Sequence, residues 1–99
     1  SISPSNNITL EVENEGTEHQ FFYTLSTSLD ASVAYNDSDA NGMPVGIKSI
    51  LTTGSASNGQ FVITLKHKPS KLASKVSDGD ITNAAGETDI EISFDVEIK

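Results

Sequence analysis

Residues 90–98 read IEISFDVEI, a strict alternation of apolar and polar side chains over nine positions. Because successive side chains of a β-strand point to opposite faces, this pattern predicts a strand with one face against the core and the other in solvent. We expect its apolar side chains to be buried and its acidic side chains to be exposed. The apolar set is Ile92, Phe94 and Val96, and the acidic set is Glu91, Asp95 and Glu97.

Similar patterns predict five further strands. Residues 60–67 alternate in the same way, with their large aromatic and aliphatic side chains on one face. If this strand neighbours residues 90–98, Lys66 and Lys68 lie on the same face as the acidic set and can pair with it across the ladder. The remaining predicted strands are residues 8–12, 19–27, 31–35 and 45–51.

The connection before residue 60 has two interpretations. Asn58-Gly59 is the dipeptide most typical of a two-residue hairpin turn, in which both central residues have positive φ. A longer loop over residues 54–59 would shift the register and turn Ile47 and Leu51 toward the core. The sequence alone does not distinguish the two.

Six candidate strands with short turns and no long helix predict a single all-β domain over residues 1–99. We expect an antiparallel β-sandwich of six to seven strands with an immunoglobulin-like topology, although the cysteines and tryptophan of antibody domains are absent. Residues 69–87 form a long polar connection, with one helical turn expected over residues 70–76. A connection of this length is expected to be functional or mobile.

The composition excludes several classes of function. Fourteen acidic residues against six lysines and no arginine give a net charge of −8, which disfavours nucleic acids and anionic membranes as partners. No apolar run reaches the roughly 18 residues that span a bilayer, so we expect a soluble protein without membrane insertion. The abundance of Ser, Thr, Asn and Gly favours an extracytoplasmic or secreted location. No nucleophile-elbow motif is present, and we expect no enzymatic activity.

The most pointed chemical pattern is D-x-D-x-N-G, formed by Asp37, Asp39, Asn41 and Gly42. Alternate side-chain oxygens at this spacing can converge on one hard cation, and the six residues resemble the first half of the calcium loop of EF-hand and dockerin-type sites. The twelfth position, which should be a bidentate glutamate, is Lys48, and the flanking segments are predicted strands rather than helices. The loop is therefore either a plain acidic hairpin or a weak Ca²⁺ site of another kind, completed by a carboxylate of the long connection: Asp78, Asp80, Glu87 or Asp89.

Histidines and aromatic residues offer weaker candidates. His19 and His67 fall at strand ends and lack a third ligand for zinc, so we interpret them as surface or strand-end histidines. Phe22, the one large apolar residue on an otherwise polar strand face, and Tyr35 could form a sugar-stacking surface. With six aromatic residues in the whole chain, we expect both to belong to the core.

Two functions remain open at this stage. The first is a non-enzymatic binding or structural module of a secreted or surface protein, with a protein or glycan as ligand. The second is a calcium-stabilised β-domain with the ion held by Asp37, Asp39 and Asn41, which makes Ca²⁺ the one cofactor considered. The sequence specifies neither the ligand nor the oligomeric state.

Overall fold

The computed structural model describes residues 15–99, and the predicted strand at residues 8–12 lies outside the described residues. The described chain is all-β, with two antiparallel sheets in the orders β1-β4-β5 and β2-β3 and no α-helix, an arrangement compatible with a β-sandwich. The strands are β1 His19–Leu25, β2 Ala31–Tyr35, β3 Ser49–Thr53, β4 Ser57–His67 and β5 Glu87–Ile98. Short 3₁₀ turns cover Gly16–Glu18, Val76–Asp78 and Ile81–Asn83.

The three-stranded sheet sorts its side chains onto two faces through its pairing register. Leu65 of β4 lies opposite Phe21 of β1 and Ile90 of β5, so these three share what we call the inner face. The alternate positions form the outer face, where Thr64 lies opposite Phe22. The period of two that predicted the strands therefore also assigns the faces.

The two-residue hairpin turn at Asn58-Gly59, one of the two interpretations of this connection, is not formed. Both residues belong to β4 and pair with β5, and β3 and β4 lie in different sheets. Gly59 is required for a different reason, because a Cβ atom there would lie 2.8 Å from Cβ of Leu29 in the β1–β2 connection. Close approach of two backbone segments, not positive φ, explains the glycine.

Two separate clusters of buried side chains lie on the two faces. The inner cluster centres on Val45 and Leu65. The outer cluster joins Phe22 to Val76 and Ala84, which come from the long connection at residues 69–86. This connection, which we call the covering segment, contains 3₁₀ turns in place of the single helical turn expected over residues 70–76. Phe22 is fully buried and belongs to the core, as expected.

The prediction that the apolar side chains of β5 are buried is wrong for Ile92 and Phe94. Each is 48% exposed, whereas Val96 is half-buried and the acidic set is exposed as expected. The two-stranded sheet contacts β1 through β2, and an open groove separates β3 from β5. The sequence pattern correctly assigned these side chains to one face, but it carried no information about what covers that face.

Candidate functional site

The carboxylate of Asp37 organises the β2–β3 connection by accepting four backbone hydrogen bonds. Its Oδ1 accepts from the amides of Val45 and Gly46 at 3.2 and 2.9 Å. Its Oδ2 accepts from the amides of Ile47 and Lys48 at 2.9 and 3.1 Å. Both oxygens of this predicted metal ligand are therefore engaged by N–H donors of its own loop.

Asp39 plays a similar part at the tip of the loop. Its Oδ1 accepts from the amides of Asn41 and Met43 at 2.8 and 3.0 Å. Its Oδ2 lies 2.8 Å from Nζ of Lys71, a residue of the covering segment. The D-x-D-x-N-G motif thus joins the β2–β3 loop to the covering segment, and Asn41 contributes its backbone amide to this arrangement.

Lys71 is a buried ammonium with three acceptors. Besides Asp39, its Nζ donates to the carbonyl oxygens of Gly16 at 2.7 Å and Pro44 at 2.9 Å. The side chains of Lys71 and Asp39 are 7% and 1% exposed. Since an ammonium group has three N–H donors, each is matched by one acceptor, as a buried charge requires. The lysine brings positive charge to the place where the sequence motif predicts a bound cation.

The electrostatics of the two aspartates follow from these contacts. Burial raises the pKa of the Asp37 carboxyl, but its four backbone N–H donors outweigh burial and hold the pKa below its ordinary value. Burial likewise raises the pKa of Asp39, and the hydrogen bond and charge of Lys71, with two backbone amides, lower it further than burial raises it. Both groups are therefore carboxylates near neutral pH.

The predicted calcium ligands lie in one loop but do not form an open cage. Within residues 15–99, no group of three or more histidine or acidic side chains is placed to hold a metal ion. A cation at Asp37 and Asp39 has to compete with N–H donors, because three of the four carboxylate oxygens accept two hydrogen bonds each and Oδ2 of Asp39 accepts one from Lys71. Calcium binding stays a prediction, and the geometry favours the plain acidic loop.

The two histidines lie opposite each other in the β1–β4 ladder. The rings of His19 and His67 stack with centroids 4.8 Å apart and planes 8° from parallel. His19 also hydrogen-bonds through Nδ1 to the carbonyl oxygen of Glu15 at 3.0 Å. Stacked rings direct their nitrogen lone pairs along parallel planes and not toward a shared point, so the pair is structural.

Tyr35 is likewise tied into the fold. Its hydroxyl donates to the carbonyl oxygen of Phe21 at 2.6 Å and accepts from Nε2 of Gln20 at 2.9 Å. Burial raises its pKa to about 12. Gln20 itself is fully buried, and its Nε2 also donates to the carbonyl oxygen of Val76 in the covering segment. Tyr35 is half-buried and not part of either buried cluster, and its hydroxyl links β1 to β2 through these hydrogen bonds.

A feature that the sequence did not reveal is the apolar groove between the two sheets. It encloses about 380 Å³, and its apolar lining is formed by Leu29, Ala31, Leu51, Phe61, Phe94 and Val96. Leu51 on β3 is 56% exposed and Phe94 on β5 is 48% exposed. These exposed side chains make the groove a candidate binding surface. No sequence signal could have found it, because the gap depends on how two separate sheets meet.

Comparison with known proteins assigns no family. No protein-family model matches the chain, and no curated protein and no solved structure resembles it significantly. Among residues 15–99, no helix has the length and apolar character needed to cross a membrane. The function is therefore argued from the geometry of the loop and the groove.

Proposed function

We propose that this domain is a non-enzymatic binding or structural module of a secreted or surface protein, built on an immunoglobulin-like sandwich, that holds a protein or glycan ligand in the apolar groove. The observation that carries the proposal is the exposure of Leu51 and Phe94 on opposite sides of this groove. Elsewhere on the three-stranded sheet, Phe22 and Leu65 are covered completely or almost completely. The groove thus leaves a large apolar side chain, Phe94, exposed in a sheet in which Phe22 and Leu65 are buried.

The energetics favour an occupant. Burial of apolar surface contributes roughly 25 cal/mol per Å², and a large exposed side chain forgoes that contribution in the isolated domain. Phe94 offers a flat ring for stacking on a sugar or packing against an apolar side chain. Its backbone is held in β5 opposite Phe61, so the groove wall is ordered before a ligand arrives.

The depression over the acidic loop is a poorer binding site. It encloses about 520 Å³ beside Asp37 and Asp39. Their oxygens accept hydrogen bonds from backbone amides and from Lys71, so these carboxylates are not directed at a ligand. The acidic loop accordingly supports the scaffold, and the groove supplies the binding surface. In the alternative function, the calcium-stabilised domain, the loop itself would be the site.

The proposal is tested by probing peptide and glycan arrays with the wild-type chain and two variants. Phe94→Ser removes the groove aromatic, and Leu72→Ser removes a side chain that is 88% exposed outside the groove. We expect at least one ligand to be lost with Phe94→Ser and retained with Leu72→Ser. If no array ligand depends on Phe94, the groove is not a binding site.

A further inference from the structure

We propose that the ligand of the groove is an extended protein segment with alternating apolar and basic side chains, which adds as a further strand along the outer edge of β5. This inference rests on the proposed function and names the ligand class for the same groove. The outer edge is the side of β5 that faces away from β4.

The backbone of β5 provides the template. With 12 residues from Glu87 to Ile98, it is the longest described strand, and it pairs along its length with β4. Among residues 15–99, no strand pairs with its other side. Such an edge presents unpaired N–H and C=O groups that an extended segment can satisfy, and main-chain bonds of this kind give affinity in strand addition.

The inner face of β5 specifies the apolar half of the ligand. In an added strand, every second side chain lies on the inner face beside Ile92 and Phe94. Apolar side chains at these positions would cover two residues that are each 48% exposed and would fill the groove toward Leu51 on the opposite sheet. A polar side chain there would lose its hydration without gaining a partner.

The outer face of β5 specifies the basic half. It carries an exposed acidic row formed by Glu91, Asp95 and Glu97. Across the ladder on β4, Thr64 donates to Glu91 at 3.2 Å and Gln60 donates to Asp95 at 3.3 Å. These partners are neutral, so the row keeps its full negative charge.

The lysines expected to neutralise the row do not do so. Among the described residues, the lysine–carboxylate ion pair is Lys71–Asp39, and the imidazole of His19 lies 3.9 Å from Asp89; neither involves the acidic row. Lys66 lies opposite Thr88. An added strand instead places its alternate side chains directly beside the row, where Lys or Arg is favoured and Asp or Glu is repelled. The net charge of −8 also attracts a basic segment over longer distances.

The same charges disfavour a second copy of this chain. Pairing of two β5 edges would bring one acidic row beside another, and like charges directly opposite destabilise a ladder. Charged edge strands are a common protection against such self-pairing. The charge pattern therefore selects a different, basic partner.

The experiment compares three short synthetic peptides on the full chain by fluorescence anisotropy. The first alternates Val and Lys, the second replaces each Lys with Glu, and the third carries N-methyl groups on the backbone amides that would pair with β5. We expect the first peptide to bind at least about tenfold more tightly than the other two, with affinity falling as salt is added. Equal binding of the three would overturn the proposal.

Two sets of variants locate the interaction. Phe94→Ser and the triple change Glu91→Gln, Asp95→Asn and Glu97→Gln should each weaken binding of the Val-Lys peptide, and only the triple change should abolish its preference over the Glu peptide. Leu72→Ser is the matched control and should bind normally. Binding that all these variants retain would place the peptide elsewhere and overturn the proposal.

Hydrogen exchange on the full chain tests the edge itself. We expect the β5 amides that point away from β4 to exchange quickly in the free protein and to become protected when the Val-Lys peptide binds. Protection already present in the free protein would overturn the proposal, since the edge would then already be paired. If an array ligand depends on Phe94 but the Val-Lys peptide does not bind, this inference alone fails. If no ligand depends on Phe94, the proposed function fails with it.

Discussion

Phe22 and Phe94 lie in the same three-stranded sheet on opposite faces, and their environments are the reverse of what the local pattern suggests. Phe22 interrupts a polar face yet is fully buried, whereas Phe94 belongs to a regular apolar row yet is 48% exposed. The difference comes from other parts of the chain. The covering segment packs Val76 and Ala84 onto Phe22, while the two-stranded sheet leaves a groove beside Phe94. Alternation therefore assigns a face, and distant segments decide whether that face is buried.

The largest expected effect is the difference in stability between Phe22→Ala and Phe94→Ala. Removing the fully buried ring of Phe22 leaves a cavity and should cost about 3 to 5 kcal/mol. Phe94 is about half exposed, so the same change there should cost roughly 1 to 2 kcal/mol. Urea denaturation of both variants gives the two free energies of unfolding. Equal losses would show that the inner face is covered as completely as the outer face.

The covering segment depends on Lys71, and its removal should cost about 3 kcal/mol. Lys71→Met takes away the ammonium and leaves the buried Asp39 carboxylate without its charged partner, which is strongly destabilising. Hydrogen exchange should show faster opening of Val76 and Ala84 than of β5, because the loss is local to the covering segment.

A double variant is the control for this effect. Adding Asp39→Asn to Lys71→Met removes the unpaired charge and should recover part of the lost stability. No recovery in the double variant would show that the loss comes from the carbonyl oxygens of Gly16 and Pro44, which then lack their donor, and not from the unpaired carboxylate of Asp39.

The sequence predicted the strands well because their signal is local. β2 coincides with the predicted residues 31–35, and β1, β4 and β5 extend or shorten their predictions by a few residues. The strand predicted over residues 45–51 is wrong in its first half, because β3 runs from Ser49 to Thr53 and residues 45–48 belong to the connection that Asp37 organises. The errors concern contacts between distant residues. Asn58-Gly59 has the composition of a turn but belongs to β4. The β1–β2 connection packs against Gly59, and this contact between distant residues outweighs the local turn preference.

The candidate site was less accessible to sequence reasoning. The motif at Asp37 and Asp39 was identified as acidic side chains in need of positive charge, and one such charge is supplied by Lys71, 32 positions further along the chain. No spacing rule connects residues that far apart. The groove was beyond prediction for the same reason, since Leu51 and Phe94 come from two different sheets.

Acid should destabilise the fold through the aspartates of the acidic loop. Both aspartates have folded-state pKa values below the ordinary value. Their contribution to the free energy of unfolding is therefore complete above the unfolded-state pKa, and it is lost as the pH falls through the folded-state pKa. Each proton taken up on unfolding changes the free energy of unfolding by at most about 1.4 kcal/mol per pH unit. Denaturation series from about pH 5 to about pH 2 should therefore show falling stability.

The variant Asp37→Asn tests whether Asp37 causes this loss of stability in acid. The amide has a single carbonyl oxygen and does not ionise, so it cannot satisfy all four backbone donors. The variant should be less stable than the parent near neutral pH and should lose less stability on acidification. A variant with the same slope as the parent would assign the acid sensitivity to other groups.

The smallest expected effect is that of calcium on the acidic loop. In the parent chain, the oxygens of Asp37 and Asp39 already accept hydrogen bonds from backbone amides and from Lys71, so calcium would have to compete with these donors. A site saturated at 100 times its Kd would add about 2.7 kcal/mol, and each kcal/mol shifts the Tm of a domain of this size by roughly 4 to 8 °C. We expect melting curves in millimolar calcium and in chelator to coincide, and the double variant Asp37→Asn with Asp39→Asn to melt lower by the same amount in both. A rise of several degrees in calcium that disappears in the double variant would instead identify a calcium-stabilised domain, with the cation displacing the amides and the ammonium of Lys71.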